Sequence, residues 1–203
     1  MNQPTRERVI GAMLTIIADR GLDEVSVRNV AAEAKVSIGT VQYYARSKDE
    51  MLLLAFRTSL EALVARLERQ EDTGSARDIA RRALWELLPL DADRLAEQRV
   101  HLSFAARSAV TTELAEVHAG YLRQVWEGWA AGIRRAQDKG SSPAGLDAET
   151  EAQVFISTAE CLVVHHLTDP TGMPLERVCG LLETVLERLF PDPPAAAATS
   201  LPA

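Results

Sequence analysis

The sequence predicts an all-α fold of about nine helices, in an N-terminal three-helix domain over residues 1–52 and a C-terminal helical bundle domain over 53–191, with a disordered tail over 192–203. Three observations predict it. Apolar residues recur at three- and four-residue spacing in nearly every segment, the period that gives a helix one buried stripe. The breaks between segments are short and rich in Gly, Pro, Ser and Asp, which end or cap helices. Strand-favouring residues concentrate in one stretch only, 35–44 (KVSIGTVQYY), which as a strand would leave its backbone groups without a partner.

Taken in order, Val9, Met13, Ile16 and Ile17 form the stripe of a first helix over about 5–20, ended by Gly21. Ser26 caps a short second helix, 27–34, with Val30, Ala31 and Ala34 inward. Lys35 and Val36 then turn the chain, and Ser37 caps a third helix over 38–45. Two short helices joined by so tight a turn make a helix-turn-helix, whose second helix enters the major groove of DNA. Val30, Ala31, Val36 and Val41 close the small core between them and leave Gly39, Thr40, Gln42 and Tyr43 on the outer side.

The run Ser47-Lys48-Asp49-Glu50 is a capping box that opens a long helix to about residue 70. Further helices are expected over 76–88, 92–110, 112–139, 148–168 and 174–190, where Pro174 suits a first helical position. The tail PDPPAAAATSLPA has nothing to bury.

The chain has 203 residues and a net charge of -7, from 22 Lys and Arg against 29 Asp and Glu. Acidic proteins are repelled by phosphates, but the balance is uneven. Residues 1–52 hold seven of each sign, so the whole excess of acid falls beyond them and a local contact with DNA is open. There is no apolar run long enough to span a membrane and no secretory signal at MNQPTRERV, so a cytoplasmic protein is expected. Cys161 and Cys179 lie in apolar helical patterns and read as reduced core thiols.

No catalytic residue, cofactor or metal site is predicted. None of His101, His118, His165 or His166 has an acidic residue three positions before it, as a helical carboxylate metal centre would need. A Gly-rich phosphate loop, a nucleophile elbow and an HExxH motif are all missing.

The joint pattern of Ser26, Val27, Val30, Ala31, Ala34, Val36, Ser37, Gly39, Thr40, Val41, Tyr44, Ser47, Lys48, Asp49, Glu50 and Leu52 resembles the N-terminal domain of the TetR family of transcriptional regulators. The segment LSFAARSAVTTELAEVHAGYLRQVWEGWAAGI, followed by VVHHLTDP and PLERVCGLLETVLERLF, looks like the C-terminal domain of the BetI-type branch. Three positions depart from the pattern: Lys35 stands where the family has glycine, Gln42 where it has tyrosine, and Ala45 where it has phenylalanine. Lys35 therefore brings a side chain to a turn that wants positive φ, at a cost of about 1 kcal/mol.

The resemblance implies a ligand-responsive repressor that binds an inverted-repeat operator as a homodimer. It assigns Lys48 and Tyr44 to phosphates, and Ser26 and Ser37 can both cap helices and donate to phosphates. Arg28, Thr40, Gln42 and Tyr43 are the candidates for base readout, and Gly39 lets the backbone come close. The segment 154–167 is apolar nearly all round, so one face is expected to meet its own core and another a partner copy, together with the last helix, whose stripe includes Leu182.

The family's effector would lie among the middle helices, where Trp85, His101, Phe104, Tyr121, Trp126, Trp129, Phe155 and His165 concentrate rings. Glu97 or Glu160 could meet a cation there, choline being the first candidate from the branch. A second reading stays open: a helical small-molecule-binding or partner-docking protein without specific DNA binding.

Overall fold

The computed structural model of the chain describes residues 3–192, with side chains from Thr5 onward. Among the described residues there are nine α-helices, one 3-10 turn at Leu22–Glu24 and no strand. The helices are α1 (Gln3–Arg20), α2 (Val27–Ala34), α3 (Ile38–Tyr44), α4 (Lys48–Glu68), α5 (Ala76–Trp85), α6 (Ala92–Ser108), α7 (Thr112–Asp138), α8 (Ala148–Thr168) and α9 (Leu175–Leu189).

The order is the one expected, and the ends differ by a few residues. Beyond α5, Leu87 and Leu88 donate to Leu84 and Trp85 in a tighter turn, so the helix stops before residue 88. Pro174, with ψ 155, is the cap of α9 rather than its first residue. Of the expected tail only Asp192 is described, 3.1 Å from Arg77; the rest lies outside the described residues.

Two compact units divide the chain: Met1–Gln70 with Ala83–Arg123, and Glu71–Arg82 with Gln124–Ala203. Helices α5 and α7 each run from one into the other.

In the first unit α1 packs along α2, α4 and α6. Its core joins Val9, Met13, Ile16, Val30, Val41, Leu52 and Phe56 to Val100 and Phe104 of α6, all at most 1% exposed. The three N-terminal helices thus share a core with α6, and each such side chain contributes about 1.5–3 kcal/mol. Helices α4 and α6 run antiparallel and are joined at three levels. Arg107 grips Asp49 with bonds of 2.8 and 2.9 Å, Phe56 stacks on Phe104 at 3.9 Å, and Arg66 holds Glu97 with bonds of 2.9 and 2.6 Å.

In the second unit α8 packs on α9. Ala152, Phe155, Ile156, Ala159 and Val163 are the buried stripe of α8, and Val178, Leu182, Leu186 and Leu189 that of α9. Arg81 bridges Asp78 and Glu183, and Arg77 donates to the Phe190 carbonyl at 2.8 Å.

Two expectations are corrected here. Leu182 is fully buried in its own chain, so it is not a partner-facing residue; on α8 and α9 the exposed large apolar side chains are Val154 at 54% and Leu181 at 38%. Cys161 is exposed, not a core thiol, and lies 3.6 Å from the His165 ring, while Cys179 is half-buried. The exposure of Cys161 fits its place on the outer face of α8, a shallow groove along Gln153, Val154, Ser157, Thr158, Cys161 and Leu162.

Candidate nucleic-acid interface

The helix-turn-helix is built from three serine caps. Ser26 accepts from the Asn29 amide at 3.1 Å, Ser37 from the Thr40 amide at 3.1 Å, and Ser47 from the Glu50 amide at 3.1 Å. Each fixes the first turn of a helix by satisfying an amide that has no partner within it. Glu50 reaches back one residue further than a standard capping box, to the Arg46 amide at 2.8 Å.

Lys35 sits in the left-handed region at φ 54 and ψ 49, the one described non-glycine residue with positive φ. Its amide donates to Ala32 at 3.2 Å and that of Val36 to Ala31 at 3.0 Å, the pair of bonds of a Schellman end. Arg8 supplies a compensation that the sequence pattern did not reveal. Its guanidinium donates to the carbonyls of Ala34 and Lys35 at 3.0–3.2 Å, placing positive charge at the C-terminal end of α2. The turn is thus tied to α1 as well as closed on itself.

Val30, Ala31 and Val41 are buried as expected, while Val36 is only half-buried. Ala45 is also buried, at 1%, in the space where the family pattern has phenylalanine.

On the outer side, Arg28, Ser37, Gly39, Gln42 and Tyr43 are exposed, and Ser26, Thr40, Tyr44 and Lys48 are half-buried. The Thr40 and Ser37 hydroxyls bond each other at 2.8 Å, so the threonine hydroxyl is already engaged before any DNA arrives. Tyr43 and Tyr44 meet edge to face at 5.1 Å. A side chain added at Gly39 would meet nothing closer than the Ser37 hydroxyl at 3.8 Å, so the fold does not itself demand glycine there.

Ile38, at the start of α3 and 50% exposed, was missed by the pattern reading because isoleucine reads as core. Exposed on this helix, it offers an apolar surface of the kind that meets a thymine methyl.

Lys48 donates to the Asp23 carbonyl at 3.2 Å and carboxylate at 3.3 Å. The neighbouring Asp49 is held by Arg107, which keeps its carboxyl below the usual carboxylate range against the opposing effect of burial.

The candidate effector residues fall into separate groups. In the first unit His101, Phe104 and Tyr121 gather with Phe56 and His118, which the sequence reading had not included. Ring centres lie 4.9 Å (Phe56–His101), 5.6 Å (His101–Tyr121) and 6.2 Å (His118–Tyr121) apart. Burial pushes the His101 imidazole down to about 4, aided by the His118 charge, and burial also lowers His118.

Trp85 also belongs to this unit but has no ring contact with that cluster among the described residues. In the second unit Phe155 meets Trp129 at 4.7 Å, the buried Trp126 indole N–H has no hydrogen-bond partner among the described residues, and His165 is exposed on α8. Glu97 is engaged by Arg66, and Glu160 stands exposed on α8. Among the described residues no three acidic, histidine or cysteine side chains converge as metal ligands, and no helix is long and apolar enough to cross a membrane.

Comparison with known proteins matches residues 10–55 to the model of bacterial regulatory proteins of the tetR family. Residues 76–191 match the BetI-type transcriptional repressor C-terminal domain. The chain is 22% identical to the transcriptional regulator PksA of Bacillus subtilis, over 87% of this chain and 85% of that protein. It is 24% identical to the nicotine-responsive repressor HdnoR of Paenarthrobacter nicotinovorans, over 91% of this chain and 95% of that protein.

A solved transcriptional regulator from a Rhodococcus species superposes with a TM-score of 0.80 at 33% identity, covering 93% of this chain and 96% of that one. A regulator from Saccharomonospora viridis, solved in complex with choline, superposes with a TM-score of 0.82 at 22% identity, covering 93% and 98%. With a helix-turn-helix whose caps and turn are in place and both domain models matched, the chain belongs to the TetR family of transcriptional regulators and carries a BetI-type C-terminal domain.

Proposed function

We propose that the chain is a ligand-responsive repressor, cytoplasmic, that binds an inverted-repeat operator as a homodimer. The observation that carries this reading is the outer face of α3. Ile38, Gln42 and Tyr43 are exposed on a helix whose other side is anchored by Val41. Residues 1–52 are the DNA-reading part in this account and 53–191 the ligand-binding and dimerisation part. Arg28, Thr40, Gln42 and Tyr43 read bases, Ser26, Ser37, Tyr44 and Lys48 hold phosphates, and Gly39 admits the backbone.

One module makes too few contacts for tight specific binding. A twofold pair would set two recognition helices about 34–36 Å apart, at successive major grooves. The exposed face of α8, with Val154 and Cys161, and Leu181 of α9 supply the dimer surface. A small organic effector acts through the C-terminal part, and a quaternary amine is the first class to test.

Titration against a labelled fragment of the DNA flanking the chain's own gene, at two salt concentrations, tests the reading. Specific, salt-sensitive binding that Gly39→Trp abolishes and Lys48→Ala weakens supports it; binding no tighter than to random DNA at either salt removes it.

A further inference from the structure

We propose that Asp23 restrains DNA affinity by holding Lys48, the amino group that would otherwise be free for a phosphate; the inference rests on the DNA-binding reading above. Three carboxylates surround the start of α4, and two of them are committed elsewhere. Asp49 is gripped by Arg107 with bonds of 2.8 and 2.9 Å, and Glu50 accepts from the Arg46 amide at 2.8 Å. Asp23 alone of the three bonds Lys48, at 3.3 Å, through a fully exposed side chain on the 3-10 turn just before the Ser26 cap.

DNA binding is then an exchange. Lys48 leaves a carboxylate for a phosphate, and the carboxylate takes up a cation from solution. Cation uptake at Asp23 offsets the cation released from the phosphate, so this lysine adds little to the salt dependence of binding. Asp23 also keeps a negative charge beside the DNA backbone, which opposes association.

Asparagine is the informative replacement. The Lys48 amino group also donates to the Asp23 backbone carbonyl at 3.2 Å, a contact that Asp23→Asn leaves in place while removing only the charge. The lysine stays directed and gains one unit of uncompensated charge.

Two labelled duplexes are titrated over a salt series, the fragment flanking the chain's own gene and a random sequence of equal length. The test uses four full-length proteins: the natural chain, Asp23→Asn, Lys48→Ala and the double variant. Asp23→Asn is expected to bind both duplexes about two- to fivefold tighter and to steepen the slope of log affinity against log salt by about one. In the Lys48→Ala background the gain should shrink, because the two residues act as a pair.

An unchanged or weaker Asp23→Asn overturns the inference, and so does a gain of equal size without Lys48. Lack of preference for the flanking fragment in every protein removes the operator reading, yet the slopes on random DNA still decide the role of Asp23. Binding to neither duplex by any protein overturns both.

Discussion

Acidification from pH 7.5 to 4.5 is expected to weaken the fold by about 2–3 kcal/mol through His101 alone. This ring sits between Phe56 at 4.9 Å and Tyr121 at 5.6 Å, and burial lowers it from 6.5 to about 4. Between those two values the unfolded chain carries a proton on His101 that the folded chain refuses, so stability rises with pH across that window and falls on acidification. At about 1.4 kcal/mol per pH unit, that lowering sets a ceiling of about 3 kcal/mol, most of it reached by pH 4.5. The lowered carboxyls, Asp49 among them, lose their contributions mainly below that pH.

Urea midpoints at the two pH values, for the natural chain and for His101→Phe, isolate the effect. The variant keeps a ring in the cluster and should lose about 2–3 kcal/mol less on acidification, with His118 still adding a smaller loss of the same sign. Equal losses in the two proteins would show that His101 is not held neutral among those rings.

Other outcomes follow from single positions. Lys35→Gly relieves the positive φ at residue 35 and should raise the urea-derived stability by about 1 kcal/mol; a loss would mean that the lysine side chain makes a contact outweighing the strain. Gly39→Ala should stabilise the isolated protein by about 0.5–1 kcal/mol, since the site has room in a helix, while weakening binding to the flanking DNA. Tighter binding by that variant would remove the close-approach role.

Leu182→Ala should cost about 2–5 kcal/mol of folding stability, because that side chain is fully buried in its own chain. Val154→Glu and Leu181→Glu should instead give folded monomers by light scattering, and an unchanged dimer mass in both would refute the proposed surface.

Much of this was legible because it is local. Serine caps, a tight turn and three- and four-residue apolar spacing act over a few residues, and α2, α3 and the start of α4 formed where those signals placed them. Lys35 was identified as a strained turn residue from its position alone, and its φ of 54 agrees. Contacts across sequence were not legible. Arg8 reaching the end of α2, Arg107 reaching Asp49 and Asp23 reaching Lys48 link positions 25 or more residues apart with no periodic signature.

Apolar residues were ambiguous for the same reason. Spacing shows apolar faces on α8 and α9 but not which of them their own chain covers, so Leu182 of α9 and Cys161 of α8 were assigned to the wrong surroundings. Ring-rich composition likewise suggested one grouping, whereas Phe56 and His118 join His101, Phe104 and Tyr121, and Trp126 and Phe155 belong to the second unit.

Hydroxyl-radical footprinting of the chain on the DNA flanking its own gene tests the central claim most directly. A dimer reading with two copies of α3 predicts two protected patches on one face of the duplex, related by a dyad. Their centres should lie about 10 base pairs apart, or at a multiple of that spacing. Both patches should be lost in Gly39→Trp. Uniform protection that follows no dyad, or none at concentrations where random DNA is also unbound, would contradict it.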